Sequence, residues 1–216
     1  MRTVVSVFGV EPRRIGGTEM FARELSRQLA ESGVHSVLCF LSEPEGEVRR
    51  FLELPNVSFE TLANSTDGRW PALRNLFRIL RKHRAEMLHL HFVGFITFYP
   101  WLAKLAGVKK IFFTDHHSRP AGYVAQPAAR WKRLAARFIA APYAKVVCVS
   151  DYGYRCMTTV GFLPRNRFEM IYNGIVLSRV NSDNGAAARF RERFSIPRAR
   201  RLVGQVSWLI PEKGNR

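Results

Sequence analysis

A pair of glycines near the start of the chain could bind an anion. Gly16 and Gly17 stand between a β-branched run over residues 3–9 and an amphipathic segment that ends at Gly33. The pattern predicts a strand, a glycine turn and a helix with Thr18 as its N-cap. The first-turn N–H groups and the dipole of such a helix favour a phosphate. Because the turn has neither the dinucleotide-binding nor the P-loop spacing, a sharp turn without a ligand remains an equal alternative.

Histidines cluster where two strands are expected to end. His89 and His91 stand two apart in a predicted strand, so their side chains share one face. Asp115, His116 and His117 end the next predicted strand. Imidazole and carboxylate groups can bind zinc or iron, which keeps a metallohydrolase open, although no H-E-x-x-H motif or further carboxylate cluster completes that site. His89 is interpreted as packed inside the sheet, whereas His116 at the lip of a crevice can position or polarise a phosphorylated substrate.

The elements that must position these residues alternate along the chain. Strands are predicted at residues 3–9, 35–41, 57–62, 87–91, 110–114, 146–150 and 168–172, with helical patterns between them. The alternation predicts an α/β fold with a Rossmann-like, doubly wound parallel sheet. Ligands bind beyond the carboxyl ends of the strands in such sheets. This rule gathers the candidate residues on one edge: Gly16, Gly17, His91, Thr114, His116, Ser150 and Asn173.

The chain is strongly basic. Its 216 residues include 34 Lys and Arg against 17 Asp and Glu, which gives a formal net charge of +17. Such a surface attracts polyanions: nucleic acid, an anionic membrane or a nucleotide-linked substrate. Two basic amphipathic helices, over residues 71–84 and 128–141, are open to three interpretations: a solvated face, contact with a membrane or lipid-linked acceptor, and nucleic-acid binding. The last is the least favoured, because the chain has no RNA- or DNA-binding signature.

Cysteine usage and the absence of leader-like segments indicate a compartment. Cys39, Cys148 and Cys156 are scattered, odd in number and without C-x-x-C spacing, so a reducing environment is expected. The N-terminus does not resemble a signal peptide. The longest apolar stretch, residues 92–102, is too short to span a bilayer. We therefore expect a cytoplasmic protein, with peripheral attachment to the inner face of the membrane as the alternative.

Composition changes after residue 180. Residues 181–188 are small and polar, a short basic helix is predicted over 188–194, and a further apolar run follows at 202–210. A lone strand at the end of an α/β chain has no partner, and an uncovered edge invites aggregation. We expect a Rossmann-like domain over residues 1–180, a linker with a short helix over 181–200, and the truncated start of a second domain over 201–216.

Six short motifs occur in order along most of the chain: Gly16-Gly17-Thr18-Glu19 (G-G-x-E), Glu86 to His91 (D-[IV]-[VI]-H-x-H), Thr114-Asp115-His116 (T-x-H), Val149-Ser150-Asp151 (V-S-[ED]), Ile171 to Ile175 (I-x-N-G-[IV]) and Leu209 to Gly214 (L-x-x-E-K-G). Each motif alone is weakly specific. Together they resemble the N-terminal half of a GT-B glycosyltransferase of family 4, the group that transfers sugars from nucleotide diphosphate donors with retained configuration.

The resemblance implies a two-domain enzyme that holds the acceptor on its N-terminal side and the donor nucleotide on its C-terminal side. It places Gly16 and Gly17 near the donor phosphates and His116, as the catalytic residue, beside the transferred sugar. Lys213 would neutralise the pyrophosphate leaving group. The remaining substrate-binding candidates are His91, Thr114, His117, Ser150 and Asn173. The family commonly works without a divalent metal, so neither a metal nor a cofactor besides the donor is expected.

Some positions depart from the family pattern. Val176 stands where an Asp usually follows N-G-[IV], and Trp208 stands where an Arg often precedes L-x-x-E-K-G. The family's donor-domain glutamates would lie past Arg216, so we expect that this chain does not transfer sugar by itself. Two alternatives stay open: a noncatalytic basic module that binds anionic membrane or nucleic acid, and a GT-B epimerase that acts on a nucleotide sugar without an acceptor.

Overall fold

A seven-stranded sheet organises the part of the chain that the computed structural model describes, residues 2–62, 69–116, 119, 122–174 and 185–204. All neighbouring strands pair in parallel, in the order β3-β2-β1-β4-β5-β6-β7. The strands are β1 (Arg2–Phe8), β2 (Val34–Phe40), β3 (Val57–Thr61), β4 (Met87–His91), β5 (Lys110–Asp115), β6 (Lys145–Cys148) and β7 (Phe168–Met170). The predicted α/β fold with a Rossmann-like parallel sheet is confirmed.

Helices connect successive strands, as the predicted alternation requires. They are α1 (Gly17–Glu31), α2 (Gly46–Leu52), α3 (Arg69–Lys82), α4 (Tyr99–Leu105), α5 (Arg130–Ala140) and α6 (Asp151–Val160), and α7 (Ala186–Arg193) follows the sheet. A 3₁₀ turn at Arg165–Arg167 precedes β7. No helix among the described residues is long and apolar enough to cross a membrane.

Two apolar cores lie on opposite faces of the sheet. One face joins Phe8 and Phe40 of the sheet to Ala22 of α1 and Leu52 of α2. The other face is covered by α3, α4, α5 and α6, which contribute Leu76, Leu80, Ala103, Ala140 and Met157. Because adjacent side chains of a strand point to opposite faces, β1 can serve both cores, and the sheet is covered on both sides as in other doubly wound folds.

The start of α1 differs from the prediction. The N-cap is Gly16 rather than Thr18, which lies inside the first turn. The Glu19 side chain performs the capping, since its Oε2 accepts a hydrogen bond of 2.9 Å from the Gly16 N–H. This is the half of a capping box in which the side chain at the third helical position satisfies the N–H of the N-cap residue, and Gly16 has no side chain to supply the other half.

The residues of α1 that pack on the sheet are also smaller than its apolar pattern suggests. Its buried residues are Glu19, Ala22 and Ser26, while Phe21, Leu25 and Leu29 are only half-buried. The Ser26 hydroxyl lies 2.8 Å from the hydroxyl of Ser36 on β2. Small residues on both elements allow the helix to approach the sheet closely, and the two buried hydroxyls satisfy each other.

The chain divides into two compact units. The first consists of Met1–Ser118 and Val124–Tyr172, and the second of Arg119–Tyr123 and Asn173–Arg216. In the second unit, α7 begins at Ala186, inside the stretch predicted as a small polar linker. Its end is held by the Arg191 guanidinium, which donates to the Pro197 carbonyl at 2.8 Å. The domain boundaries at 180 and 200 stay predictions.

Candidate active site

A cluster of three histidines lies at the carboxyl edge of the sheet. In the parallel register, His91 of β4 stands opposite Thr114 of β5. The rings of His89 and His91 are 3.9 Å apart between centroids, so the prediction that they share a face is confirmed. His116 directly follows β5, and its Nε2 lies 3.1 Å from Nδ1 of His91. We call His89, His91 and His116 the histidine cluster.

Three phenylalanines surround the histidine cluster. Phe8 stacks on His91 with ring centroids 4.7 Å apart, and Phe92 stacks on His116 at 4.4 Å. Phe21 makes edge contacts with both imidazoles, at 5.3 Å to His91 and 6.1 Å to His116. These contacts fix the plane of the His116 ring. Since Phe21 belongs to the first turns of α1, they also bring the glycine turn and His116 to the same edge of the sheet.

His89 and His91 are held uncharged at neutral pH. Burial, with a smaller contribution from His116, lowers the pKa of His89 to about 4. Burial, helped by His89 and His116, holds the pKa of His91 well below its usual value near 6.5. Each of these imidazoles therefore carries a single ring proton at pH 7.

The hydrogen bonds of His91 indicate where its proton lies. Its Nε2 is buried and has no hydrogen-bond partner among the described residues. A buried donor without an acceptor is costly, so we assign the proton to Nδ1, which then donates to Nε2 of His116. His116 accepts at Nε2 and, when neutral, carries its own proton on Nδ1. This arrangement favours a His116 that donates a hydrogen bond to a substrate over one that removes a proton through Nε2.

The low pKa values predict a pH-dependent stability. The unfolded chain binds protons at these histidines below about pH 6.5, whereas folded His89 binds one only near pH 4. The unfolded state therefore binds more protons across this window, and the free energy of unfolding should fall as the pH falls, by about 1 kcal/mol per pH unit. Urea titrations of the chain between pH 7 and 4 measure this slope.

A matched variant separates this histidine from other acid-sensitive groups. His89→Gln keeps a side chain able to hydrogen-bond the Thr114 hydroxyl, which lies 2.8 Å from Nε2 of His89, but it cannot titrate. The slope should become shallower in this variant. An unchanged slope would show that His89 titrates normally in the folded protein.

The glycine turn has one of its amides already occupied. Gly16 gives its N–H to Glu19, so a phosphate at Gly16 would have to compete with a buried carboxylate. Gly17 is exposed, and a Cβ added there would meet nothing within 4 Å. The backbone at Gly17 is thus open to a ligand, whereas the predicted phosphate contact of Gly16 meets a competing acceptor.

The other candidates have different surroundings. Thr114 is buried and its hydroxyl pairs with His89, and the Ser150 hydroxyl caps α6 by accepting the Gly153 N–H at 3.0 Å. Asn173 is exposed and belongs to the second unit. His117 and Lys213 lie outside the described residues. Their predicted contacts with a substrate stay predictions.

No metal centre can be built from the described part of the chain. It holds no group of three or more His, Cys, Asp or Glu side chains that could share an ion. The three histidines instead use their rings for contacts with one another and with the aromatic shell.

Two residues of the site were not found from the sequence. Gly9 directly follows β1, and a Cβ there would lie 2.3 Å from the Phe92 carbonyl oxygen. The Gly9 N–H also donates to the His91 carbonyl at 2.9 Å. Phe92 has a positive φ of 55°, rare for a bulky residue, and its ring stacks on His116. A glycine at the end of a buried strand is the available sequence signal for such a close approach.

A family model supports the resemblance found in the motifs. The model described as Glycosyltransferase Family 4 matches residues 15–179, which include the glycine turn and the whole histidine cluster. No curated protein matches the chain.

Solved structures share the fold at low sequence identity. A glycosyltransferase from Rickettsia africae has a TM-score of 0.70 and 15% identity, over 92% of this chain and 50% of its own. Anabaena Alr3699/HepE in complex with UDP has a TM-score of 0.59 and 12% identity, over 90% of this chain and 50% of its own. The UDP-GlcNAc 2-epimerase from Neisseria meningitidis bound to UDP-GlcNAc has a TM-score of 0.53 and 13% identity, over 89% of this chain and 54% of its own. The present chain thus spans about half the length of these proteins.

Proposed function

This chain belongs to glycosyltransferase family 4, and from that premise we propose that it forms the acceptor-side half of a retaining glycosyltransferase. The enzyme would transfer a sugar from a nucleotide diphosphate donor to a saccharide or lipid-linked acceptor. The Anabaena structure, which was solved with UDP, supports a donor of this type. Cys39, Cys148 and Cys156 are all buried thiols, which supports the predicted cytoplasmic location.

The observation that carries the proposal is the contact of Phe21 with His116. It places the positive end of the α1 dipole at the same edge of the sheet as an imidazole whose orientation is fixed. The Gly17 amide and the helix dipole would attract the donor phosphates, while His116 donates a hydrogen bond to the transferred sugar. Thr114 orients His89, and His91 orients His116.

The leaving group needs positive charge as the sugar departs. Negative charge develops on the pyrophosphate, and fixed donors aimed at it stabilise the transition state. In our proposal, the Gly17 amide and the dipole of α1 stabilise part of this negative charge, and the Lys213 ammonium stabilises the rest. Ser150, Asn173 and His117 complete the proposed contacts with donor and acceptor.

A donor epimerase is the second candidate, because the Neisseria epimerase has the same fold. Such an enzyme also binds a nucleotide sugar, so donor binding alone does not distinguish the two reactions. The difference is the acceptor: a transferase consumes the donor only when an acceptor is present, whereas an epimerase needs none.

The test uses a panel of nucleotide sugars and acceptors. A protein that joins this chain to a donor-binding domain should move labelled sugar to an acceptor with retained configuration, whereas the 216-residue chain alone should not. Donor conversion at the same rate without acceptor would favour the epimerase. Acceptor-dependent turnover by the 216-residue chain would overturn the expectation that a second domain is needed.

A further inference from the structure

The large apolar residues of α5 point away from the protein. Trp131, Leu134 and Phe138 are 69%, 71% and 66% exposed, respectively. The side of the helix that packs on the sheet is formed instead by the small residues Ala136 and Ala140, both buried. The amphipathic pattern of α5 is therefore real, but its large apolar stripe faces away from the sheet and stays largely exposed.

Basic side chains border this stripe on both sides. At about 100° per residue, Arg130 and Arg137 fall on one flank of the stripe and Lys132 on the other. The Lys132 ammonium lies 5.4 Å from the centroid of the Trp131 ring. The helix contains no Asp or Glu. An apolar stripe between cationic flanks is the pattern of a helix that lies in the plane of a membrane interface.

Neighbouring helices extend the same surface. Trp101 of α4 stacks on Phe138 with centroids 5.1 Å apart, and its indole N–H donates to the Phe138 carbonyl at 2.9 Å. Leu105 of α4 is 77% exposed, and Trp70 of α3 is 79% exposed. The three helices bury their other sides in one core, so their outer sides face the same way. Neither α3 nor α4 contains an acidic residue.

We propose that the outer face of α5, extended by α4 and α3, docks the protein on an anionic lipid bilayer. We call this surface the α5 face. The apolar stripe would enter the boundary between headgroups and acyl chains, with the indoles of Trp131 and Trp101 at headgroup level, while the flanking cations meet the lipid phosphates. The proposal rests on this surface alone and does not depend on the proposed glycosyl transfer.

Charge argues against the other occupants. A second copy of the chain would bring the same cationic flanks against themselves, with no acidic residue on these helices to pair with them. A nucleic acid would use the cations but would leave the aromatic stripe in water. A bilayer with anionic headgroups uses both features at once.

The test is co-sedimentation of the chain with vesicles. Vesicles of equal parts phosphatidylglycerol and phosphatidylcholine should bind the chain, and vesicles of phosphatidylcholine alone should bind it much more weakly. The double variant Trp131→Ser, Leu134→Ser should weaken binding to the anionic vesicles by about tenfold or more, since two side chains no longer insert. Both residues are exposed, so thermal unfolding should be unchanged, and Trp131→Phe should retain binding.

Phe190→Ser is the matched control. Phe190 is 52% exposed and also stands among arginines, but on α7, so its variant should bind vesicles like the unmodified chain. An equal loss in Phe190→Ser, or full binding by the double variant, would overturn the proposal. So would a result in which the double variant dissolves a dimer or weakens binding to duplex DNA while vesicle binding is unchanged.

Discussion

Replacing His116 with alanine should lower turnover by about 100- to 1,000-fold in a protein that joins this chain to a donor-binding domain. The reason is the loss of a preoriented hydrogen-bond donor beside the charge that develops during transfer. The fold should survive, because His116 follows β5 and lies at the edge of the sheet. Steady-state kinetics with a saturating donor, together with thermal unfolding, measure the two effects.

Two further variants make the His116 result specific. His116→Gln retains an N–H donor, so it should lose less activity than His116→Ala, whereas a proton-transfer role would be lost equally in both. His35 on β2 is hydrogen-bonded with Ser58 at 3.0 Å and belongs to another part of the sheet, so His35→Ala should leave turnover unchanged. Unchanged kinetics in His116→Ala would show that His116 has a structural role and no part in catalysis.

Replacing Gly9 with alanine should destabilise the first unit by about 3 kcal/mol or more. The added Cβ would overlap backbone atoms, the Phe92 carbonyl oxygen at 2.3 Å and its carbon at 2.9 Å, and backbone in a closely packed sheet cannot move aside cheaply. The displaced Phe92 would also carry its ring away from His116. Urea denaturation monitored by circular dichroism measures the loss.

Gly17→Ala is the control for Gly9→Ala. A Cβ at Gly17 meets nothing within 4 Å, and alanine favours the helix that begins there, so the free energy of unfolding should change by less than about 0.5 kcal/mol. Donor use should nevertheless fall if a phosphate approaches this backbone. Equal destabilisation by both substitutions would contradict the close approach of Gly9 to Phe92.

Much of the fold could be predicted because its signals are local. The apolar runs and their spacing specify alternating strands and helices, and a period of two places His89 and His91 on one face without any knowledge of tertiary contacts. The strand predicted at residues 87–91 has the bounds that the structure shows for β4. Parallel topology then follows from the connections.

The features that could not be predicted from the sequence depend on packing between residues that are distant along the chain. Thr18 was expected to cap α1 because threonine is a good N-cap, but the buried Glu19 reaches back to Gly16 instead. The pattern of α5 shows two different sides but not which of them packs on the sheet; here the small side of Ala136 and Ala140 does. The need for Gly9 appears only when β1 and β4 are paired, since its neighbour Phe92 is 83 positions away in sequence.

The most direct test of the proposed site is a histidine NMR titration. A protein that joins this chain to a donor-binding domain, labelled at its imidazole rings and glycine amides, would be titrated with its nucleotide-sugar donor. We expect the signals of the His116 ring and the Gly17 amide to shift and saturate together, while those of His35 stay in place. Saturation of the enzyme by donor with the His116 and Gly17 signals unmoved would contradict the proposed site.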